Sequence, residues 1–274
     1  MSRNSQAAKL VGPDLSMKFR LIGEGPTTVI LHGGGPGSTS WTDFGPIVPD
    51  LLHSRQLLLV DLPHFGESGA PPFNTPVFDY YANCVEALLD ELGIDTVDIV
   101  GQSLGGSVAL CLAARRTRRI GKIVATSSQP MRHNLSNASL GPSVRVDYYG
   151  GEGPTLKKMR ALIEKLEWYD ANRIPDHTIR IRFENSVNRT ALESMERTDQ
   201  RGSRQDLSDR LPGVATPTLV IWGSHDPFAP PAYGQALADR LPHGDLYVMG
   251  RTSHHPQEER PHEFGKIVQA FLTN

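Results

Sequence analysis

Six residues constrain this chain more than any others: Gly101-Gln102-Ser103-Leu104-Gly105-Gly106. They stand between a short apolar run, Val97–Val100, and a stretch in which Leu104, Val108, Cys111 and Leu112 recur at helical spacing. The apolar run suits a buried strand, and the second stretch suits a helix. A turn this tight from strand to helix forces the serine into a strained backbone and leaves no room for bulk two residues to either side. Gly-x-Ser-x-Gly in that setting is a nucleophile elbow. It presents the serine oxygen at the carboxyl edge of a sheet. The Leu104 amide, at the helix N-terminus, points the same way and can hold an oxyanion.

The rest of the chain repeats the strand–helix theme. Val29–Leu31, Leu57–Val60, Ile120–Thr126, Thr218–Trp222 and Leu246–Met249 are further apolar runs with few charges, suited to a parallel sheet buried on both faces. Thr75 and Pro76 read as N-cap and first residue of a helix in which Val77, Tyr80, Tyr81, Val85, Leu88, Leu89 and Leu92 recur, closed by Gly93. Phe264, Ile267, Val268 and Phe271 mark the last helix. The expected class is α/β, with a mostly parallel central sheet and helices on both faces.

One stretch breaks the pattern. Residues 129–211 hold 14 Lys/Arg and 12 Asp/Glu in 83 positions, about 31% charged against 21% for the whole chain, and no strand–helix alternation is visible there. Leu156, Met159, Ile163, Leu166 and Tyr169 form one amphipathic stripe; Ile179, Phe183 and Val187 form a second, opened by Asp176. The reading is a helical insertion at 129–211, between the sixth and seventh strands of a core built from 1–128 and 212–274.

Charge and cysteine content remove several classes of function. With 28 Lys/Arg against 30 Asp/Glu, the chain lacks the basic surplus of a nucleic-acid binder or a polybasic membrane protein. No apolar run is long enough to span a bilayer, and MSRNSQAAKL lacks the apolar core of a signal peptide. Cys84 and Cys111 cannot form a disulfide framework; they read as reduced side chains of a cytoplasmic protein. No H-E-x-x-H, C-x-x-C or carboxylate-rich loop points to a metal, and no cofactor is expected.

A serine needs a base to become a nucleophile at neutral pH. On this architecture the partners follow in the order Ser, Asp or Glu, His. Asp226, in WGSHDPFAP, falls in the turn after the run Thr218–Trp222, and the pair His254 and His255 follows Leu246–Met249. Position alone does not separate the two histidines. His32-Gly33-Gly34-Gly35-Pro36-Gly37 ends another strand. Its bare backbone suits the second half of an oxyanion hole, with the amides of Gly33 and Gly34 as candidates. It lacks the Lys-Ser/Thr ending of a phosphate-binding loop. His32 and His64 read as structural; His225, His243 and His262 read as solvated.

Together, HGGGPG at 32–37, DLPHFGES at 61–68, GQSLGG at 101–106, WGSHDPF at 222–228 and SHHPQEERPHEF at 253–264 resemble the α/β-hydrolase superfamily over nearly the whole chain. LHGGGPGSTSWTDF looks most like the meta-cleavage product hydrolases. The resemblance implies hydrolysis of a carbon–carbon bond in 2-hydroxy-6-keto-dienoic acids formed by opening aromatic rings. It implies a helical lid and favours His254 over His255 as the base, leaving His255 on the substrate side. It also implies a lid arginine near the substrate acid, a place at which Arg182 stands. Such families usually carry Asn where this chain has Gln102, and Gly and Trp where it has Ser253 and His255. The ending is shared with esterases and lactonases, so a carboxylesterase or lactonase is the alternative, and a non-turnover receptor for a small molecule is a second. Epoxide hydrolase and dehalogenase chemistry would need aspartate at the elbow. The expected partner is a small apolar, aromatic-derived substrate; homodimers are common in such families.

Overall fold

Within each central strand, neighbouring side chains go to opposite layers of the molecule. Val29 and Leu31 pack into one apolar layer with Leu58, Val60, Ile99, Ile123, Val220 and Trp222. Ile30 packs into the other with Leu57, Leu59, Val100, Val124, Leu219 and Ile221. This two-residue alternation with both sets apolar is what a sheet covered on both faces requires.

The computed structural model describes residues 5–10, 15–115, 118–137, 139–196, 203 and 205–274. The strands are β1 (Ser5–Leu10), β2 (Ser16–Ile22), β3 (Thr27–Leu31), β4 (Gln56–Val60), β5 (Val97–Gln102), β6 (Ile120–Thr126), β7 (Thr218–Gly223) and β8 (Gly244–Met249), arranged in the order β1-β2-β4-β3-β5-β6-β7-β8. β1 and β2 pair antiparallel, as do β2 and β4; from β4 to β8 all pairs are parallel. Sequence reading does not name β1 and β2. β2, SMKFRLI, alternates polar and apolar residues, so it carries no continuous apolar run. β8 is an edge strand with Tyr247 and Val248 exposed, rather than a strand buried on both faces.

The helices are α1 (Ser40–Phe44), α2 (Val48–Leu51), α3 (Val77–Glu91), α4 (Leu104–Ala113), α5 (Leu140–Tyr149), α6 (Leu156–Leu162), α7 (Asp176–Ser186), α8 (Arg189–Glu196), α9 (Pro231–Ala238), α10 (Pro256–Glu259) and α11 (Pro261–Thr273). α3 begins one residue later than expected. Pro76 is its cap, and no Thr75 hydroxyl serves it. Instead Gln205 Oε1 accepts from the amides of Phe78 and Asp79 at 2.9 and 3.0 Å, satisfying orphan donors of the first turn from a distant segment.

Helices α5 to α8 lie between β6 and β7 in the chain, and α5, α6, α7 and the segments joining them share an apolar cluster of Tyr148, Met159, Leu162, Ile163, Trp168, Ile174 and Ile179. Met131, Leu207 and Leu211 are buried in the sheet's own core layer. The single stripe expected from Leu156 to Tyr169 divides. α6 stops at Leu162 and continues as a π-turn, Ile163–Glu167. The wider turn rotates the following residues about the axis. Tyr169, beyond the turn, is 47% exposed, and Leu156, the first residue of α6, is 49% exposed.

Candidate active site

The elbow is built by close approach of backbone. Ser103 sits at φ 50°, ψ −105°, a left-handed conformation that L-residues adopt at a cost. Its amide donates to the Thr126 carbonyl at 2.8 Å, and its carbonyl accepts from Ser107 N and Oγ at 3.1 and 3.0 Å. A Cβ on Gly101 would lie 2.5 Å from the Gly106 nitrogen, and one on Gly105 would lie 2.2 Å from the Leu31 oxygen. Neither position can carry a side chain without moving backbone. This explains the glycines of the hexapeptide and places Ser103 at the carboxyl end of β5.

The turn after β7 carries Asp226, and the loop after β8 carries His254. Asp226 Oδ2 meets His254 Nδ1 at 2.8 Å, while its Oδ1 accepts from the Phe228 amide at 2.9 Å. Both residues are buried. The His254 ring packs on Phe228 with centroids 4.3 Å apart. With Nδ1 held by the carboxylate, Nε2 is the nitrogen left to act. Ser103, His254 and His255 line one cavity of about 530 Å³. Among the described residues, no hydrogen bond joins the Ser103 hydroxyl to His254. Gln102 spans the site: its Nε2 donates to the His254 carbonyl at 3.1 Å, tying the end of β5 to the histidine loop.

The glycine loop divides its tasks. Gly33 N donates to Asp43 Oδ2 at 2.8 Å. This corrects the expectation that Gly33 serves an oxyanion hole, because its one donor is already spent on a buried carboxylate. Gly34 lines the cavity, and a Cβ there would meet Leu104 Cβ at 3.6 Å, so the two remaining candidate amides belong to adjoining residues. Leu104 opens α4, where the first amides lack intrahelical acceptors. His32 is structural: Nε2 accepts from Leu62 N at 2.9 Å, so Nδ1 carries the proton that bonds Gly33 O at 2.7 Å. His64 is buried against Phe73, Tyr80 and Tyr81, with Nε2 at 2.8 Å from Pro71 O.

Arg182 does not line the cavity. Fully buried, it forms a bidentate pair with Glu167 at 3.0 and 2.9 Å, and its Nε donates to Pro36 O at 3.1 Å. In this arrangement the guanidinium expected near the substrate acid is engaged by Glu167 and stands behind the cavity wall. Glu167 is the residue that reaches the cavity, presented by the π-turn. Burial opposes its ionisation, but Arg182 and then His255 hold its carboxyl below the usual range.

His255 lies between Glu167, 3.8 Å from Nε2, and Glu258, bonded to Nδ1. Burial disfavours its charge, yet Glu167 and Glu258 outweigh it and push the imidazole up to about 9. Burial raises Glu258, an effect its bond to His255 only partly offsets. Asp43, His255 and Glu258 bring ligand-type atoms within 4.8 Å of one another. Each is engaged within the protein: Asp43 with Gly33 N and with Thr42 Oγ1 at 3.0 Å, His255 with Glu258. Sequence reading misses Asp43, Glu167 and Arg145, the last a cavity-lining residue of α5. A charge beside HGGGPG marks Asp43; the other two carry no local signal.

A parallel sheet with a strained serine at its strand–helix elbow and a carboxylate–imidazole pair on the next loops defines a hydrolase of the α/β type. A family model described as alpha/beta hydrolase fold matches residues 26–261, and the chain belongs to that family. Among curated relatives, it is 31% identical over 276 residues to a 2-hydroxy-6-oxononadienedioate/2-hydroxy-6-oxononatrienedioate hydrolase of Burkholderia vietnamiensis, covering 95% of this chain and 92% of that one. Among solved structures, it is similar to a 2-hydroxy-6-oxo-6-phenylhexa-2,4-dienoate hydrolase from a Rhodococcus strain, with TM-score 0.83, 24% identity and full coverage of both chains. The same fold appears in a thermophilic esterase from Thermogutta terrifontis, with TM-score 0.77, 21% identity and coverage of 100% and 98%. Likeness at that level shows architecture, and chemistry must be argued from the site.

Proposed function

We propose that this chain hydrolyses the carbon–carbon bond of a 2-hydroxy-6-oxo-dienoic acid. The observation that carries the reading is a cavity wall holding Ser103 and His254 beside a second imidazole, His255, whose charge two carboxylates sustain. Ester hydrolysis needs only the first pair. A dienolate leaving group also needs a hydrogen-bond donor beside the nucleophile, and His255, with Nδ1 bonded to Glu258, can offer its Nε2–H. The names of the curated relatives support the same substrate class.

In this reading Asp226 orients His254, which takes the Ser103 proton as the oxygen adds to the keto carbon of the ketonised substrate. The amides of Leu104 and Gly34 hold the tetrahedral oxyanion, an interaction worth about 3 kcal/mol per donor. The carbon–carbon bond then breaks, its electron pair passing into the conjugated acid as a dienolate, which takes the proton back from His254 and leaves that imidazole neutral. Water, activated by His254, releases the acyl group from Ser103. Helices α5 to α8 act as the lid, and Val144, Leu162, Leu166 and Phe228 give the cavity an apolar side for the ring-derived end. No helix among the described residues is long and apolar enough to cross a membrane, and the free, buried Cys84 and Cys111 fit a reducing cytoplasm.

The test is spectrophotometric. Loss of dienolate absorbance from 2-hydroxy-6-oxo-6-phenylhexa-2,4-dienoate should outpace release of nitrophenol from nitrophenyl butyrate. Faster ester turnover would give the site to a carboxylesterase.

A further inference from the structure

Three consecutive residues at His254 are each held by a backbone group. Ser253 N donates to Glu259 Oε1, the His254 carbonyl accepts from Gln102 Nε2 at 3.1 Å, and His255 N donates to the Glu167 carbonyl at 3.1 Å. The other oxygen of Glu259, Oε2, accepts from Tyr169 N at 2.7 Å. One carboxylate therefore joins the residue before His254 to the chain just beyond the π-turn. Ser253 Oγ adds to this seam, lying between the carbonyls of Leu166 and His225 at 3.2 and 3.3 Å. Glu259 is buried on α10 and does not line the cavity. It takes no part in the proton transfers of the proposed reaction, yet each of its oxygens holds an amide of a different segment.

We infer that Glu259 is a positioning residue for His254, clasping the helical insertion to the histidine loop so that the base is aligned with Ser103 only while the insertion is seated. Asp226 fixes the tautomer and one end of the ring, but the ring also moves with its backbone, and that backbone is tied through Glu259 and Glu167 to the π-turn. Bonds from amides to a carboxylate are stronger than those to a neutral acceptor. A base must come within about 3 Å of the proton it takes, so a small shift of its backbone costs rate rather than binding. Glutamine at this position keeps the shape but turns an amide NH2 toward one of two backbone donors. That donor is left buried and unpaired, and the loop must move to satisfy it. The inference rests on Ser103 and His254 being the reacting pair, and it is independent of which substrate bond breaks.

The experiment assays the full chain, Glu259→Gln and Ser253→Ala against both 2-hydroxy-6-oxo-6-phenylhexa-2,4-dienoate and nitrophenyl butyrate. It is run on the alkaline side of pH 7, where the Glu259 carboxyl, lifted by burial to about 7, is ionised. In Glu259→Gln, kcat should fall about ten- to a hundredfold on either substrate with KM nearly unchanged. Ser253→Ala should show a smaller fall of the same kind. Amide hydrogen exchange in Glu259→Gln should quicken at Tyr169 and Ser253 while the strands β3 to β6 keep their protection. A folded Glu259→Gln with kcat within twofold of wild type overturns the inference, as does a loss carried by KM alone. Quickened exchange throughout the sheet also overturns it, since Glu259 would then be a general support of the fold. A wild type that turns over the ester and no dienoate removes the carbon–carbon reading, and the ester assay alone then decides whether Glu259 positions the base.

Discussion

At the scale of single residues, the proposed reaction depends on a hydroxyl made reactive by its neighbours. Ser103 is offered by a strained turn, and His254 is held in one tautomer by Asp226 at 2.8 Å. Ser103→Ala should lower kcat on the order of 10⁶-fold, since members of a triad act as a unit. Asp226→Asn keeps the shape but permits the wrong tautomer, and a loss of about 10⁴-fold in kcat is expected. Stopped-flow assays on the dienoate measure both. A Ser103→Ala protein with wild-type turnover would exclude nucleophilic catalysis at this elbow. Gly33 shows why such sites need coordinates. Its amide is placed like that of Gly34 in the sequence, yet a carboxylate ten residues away takes it.

At the scale of elements, the π-turn decides what the inserted helices contribute. Five residues in a wider coil swing Glu167 inward, where it joins Arg182 of α7 and faces His255 of the last loop. This pair ties the helical insertion to the glycine loop through Pro36. Removing one partner of a fully buried pair strands a charge. Glu167→Gln should therefore destabilise the fold by about 3–5 kcal/mol. The double variant Glu167→Gln, Arg182→Met should regain much of that loss, because neither charge remains. Urea unfolding of the three proteins would show it; additive losses would mean that the pair is not coupled.

At the scale of the whole molecule, the buried charges make stability depend on pH. His255 has an ordinary value of 6.5 and is raised to about 9 by Glu167 and Glu258 against the opposing effect of burial. Between those values the folded chain keeps a proton that the unfolded chain has released, so stability falls as pH rises. Its contribution is complete below about 6.5 and lost through about 9. Glu259 acts in the same direction lower down, since burial lifts it from 4.5 to about 7. Asp79 limits the acid side: its bond with Arg210 lowers it from 3.8 to about 2, a contribution present above 3.8 and lost as pH falls through 2. Thermal midpoints should decline from pH 6.5 to 9, and His255→Gln should flatten that decline. An unchanged slope in the variant would assign the effect elsewhere.

Much of this was legible without coordinates. The parallel core, the elbow and the placement of Asp226 and His254 in turns after strands all follow from short-range sterics. Glycine is forced where backbones touch, apolar runs are forced where both sheet faces are covered, and each turn carries its own residues. The antiparallel β2 was not legible, because a half-buried strand shares its alternation with ordinary polar sequence. Nor was the shared network of Asp43, Glu167, Arg182 and His255, whose members lie up to 212 positions apart. Whether an arginine is spent or available depends on which carboxylate the folded chain brings to it, and that is a long-range electrostatic outcome that no local pattern encodes. Sequence alone thus determined the frame and the elbow, while tertiary packing decided which charges line the cavity.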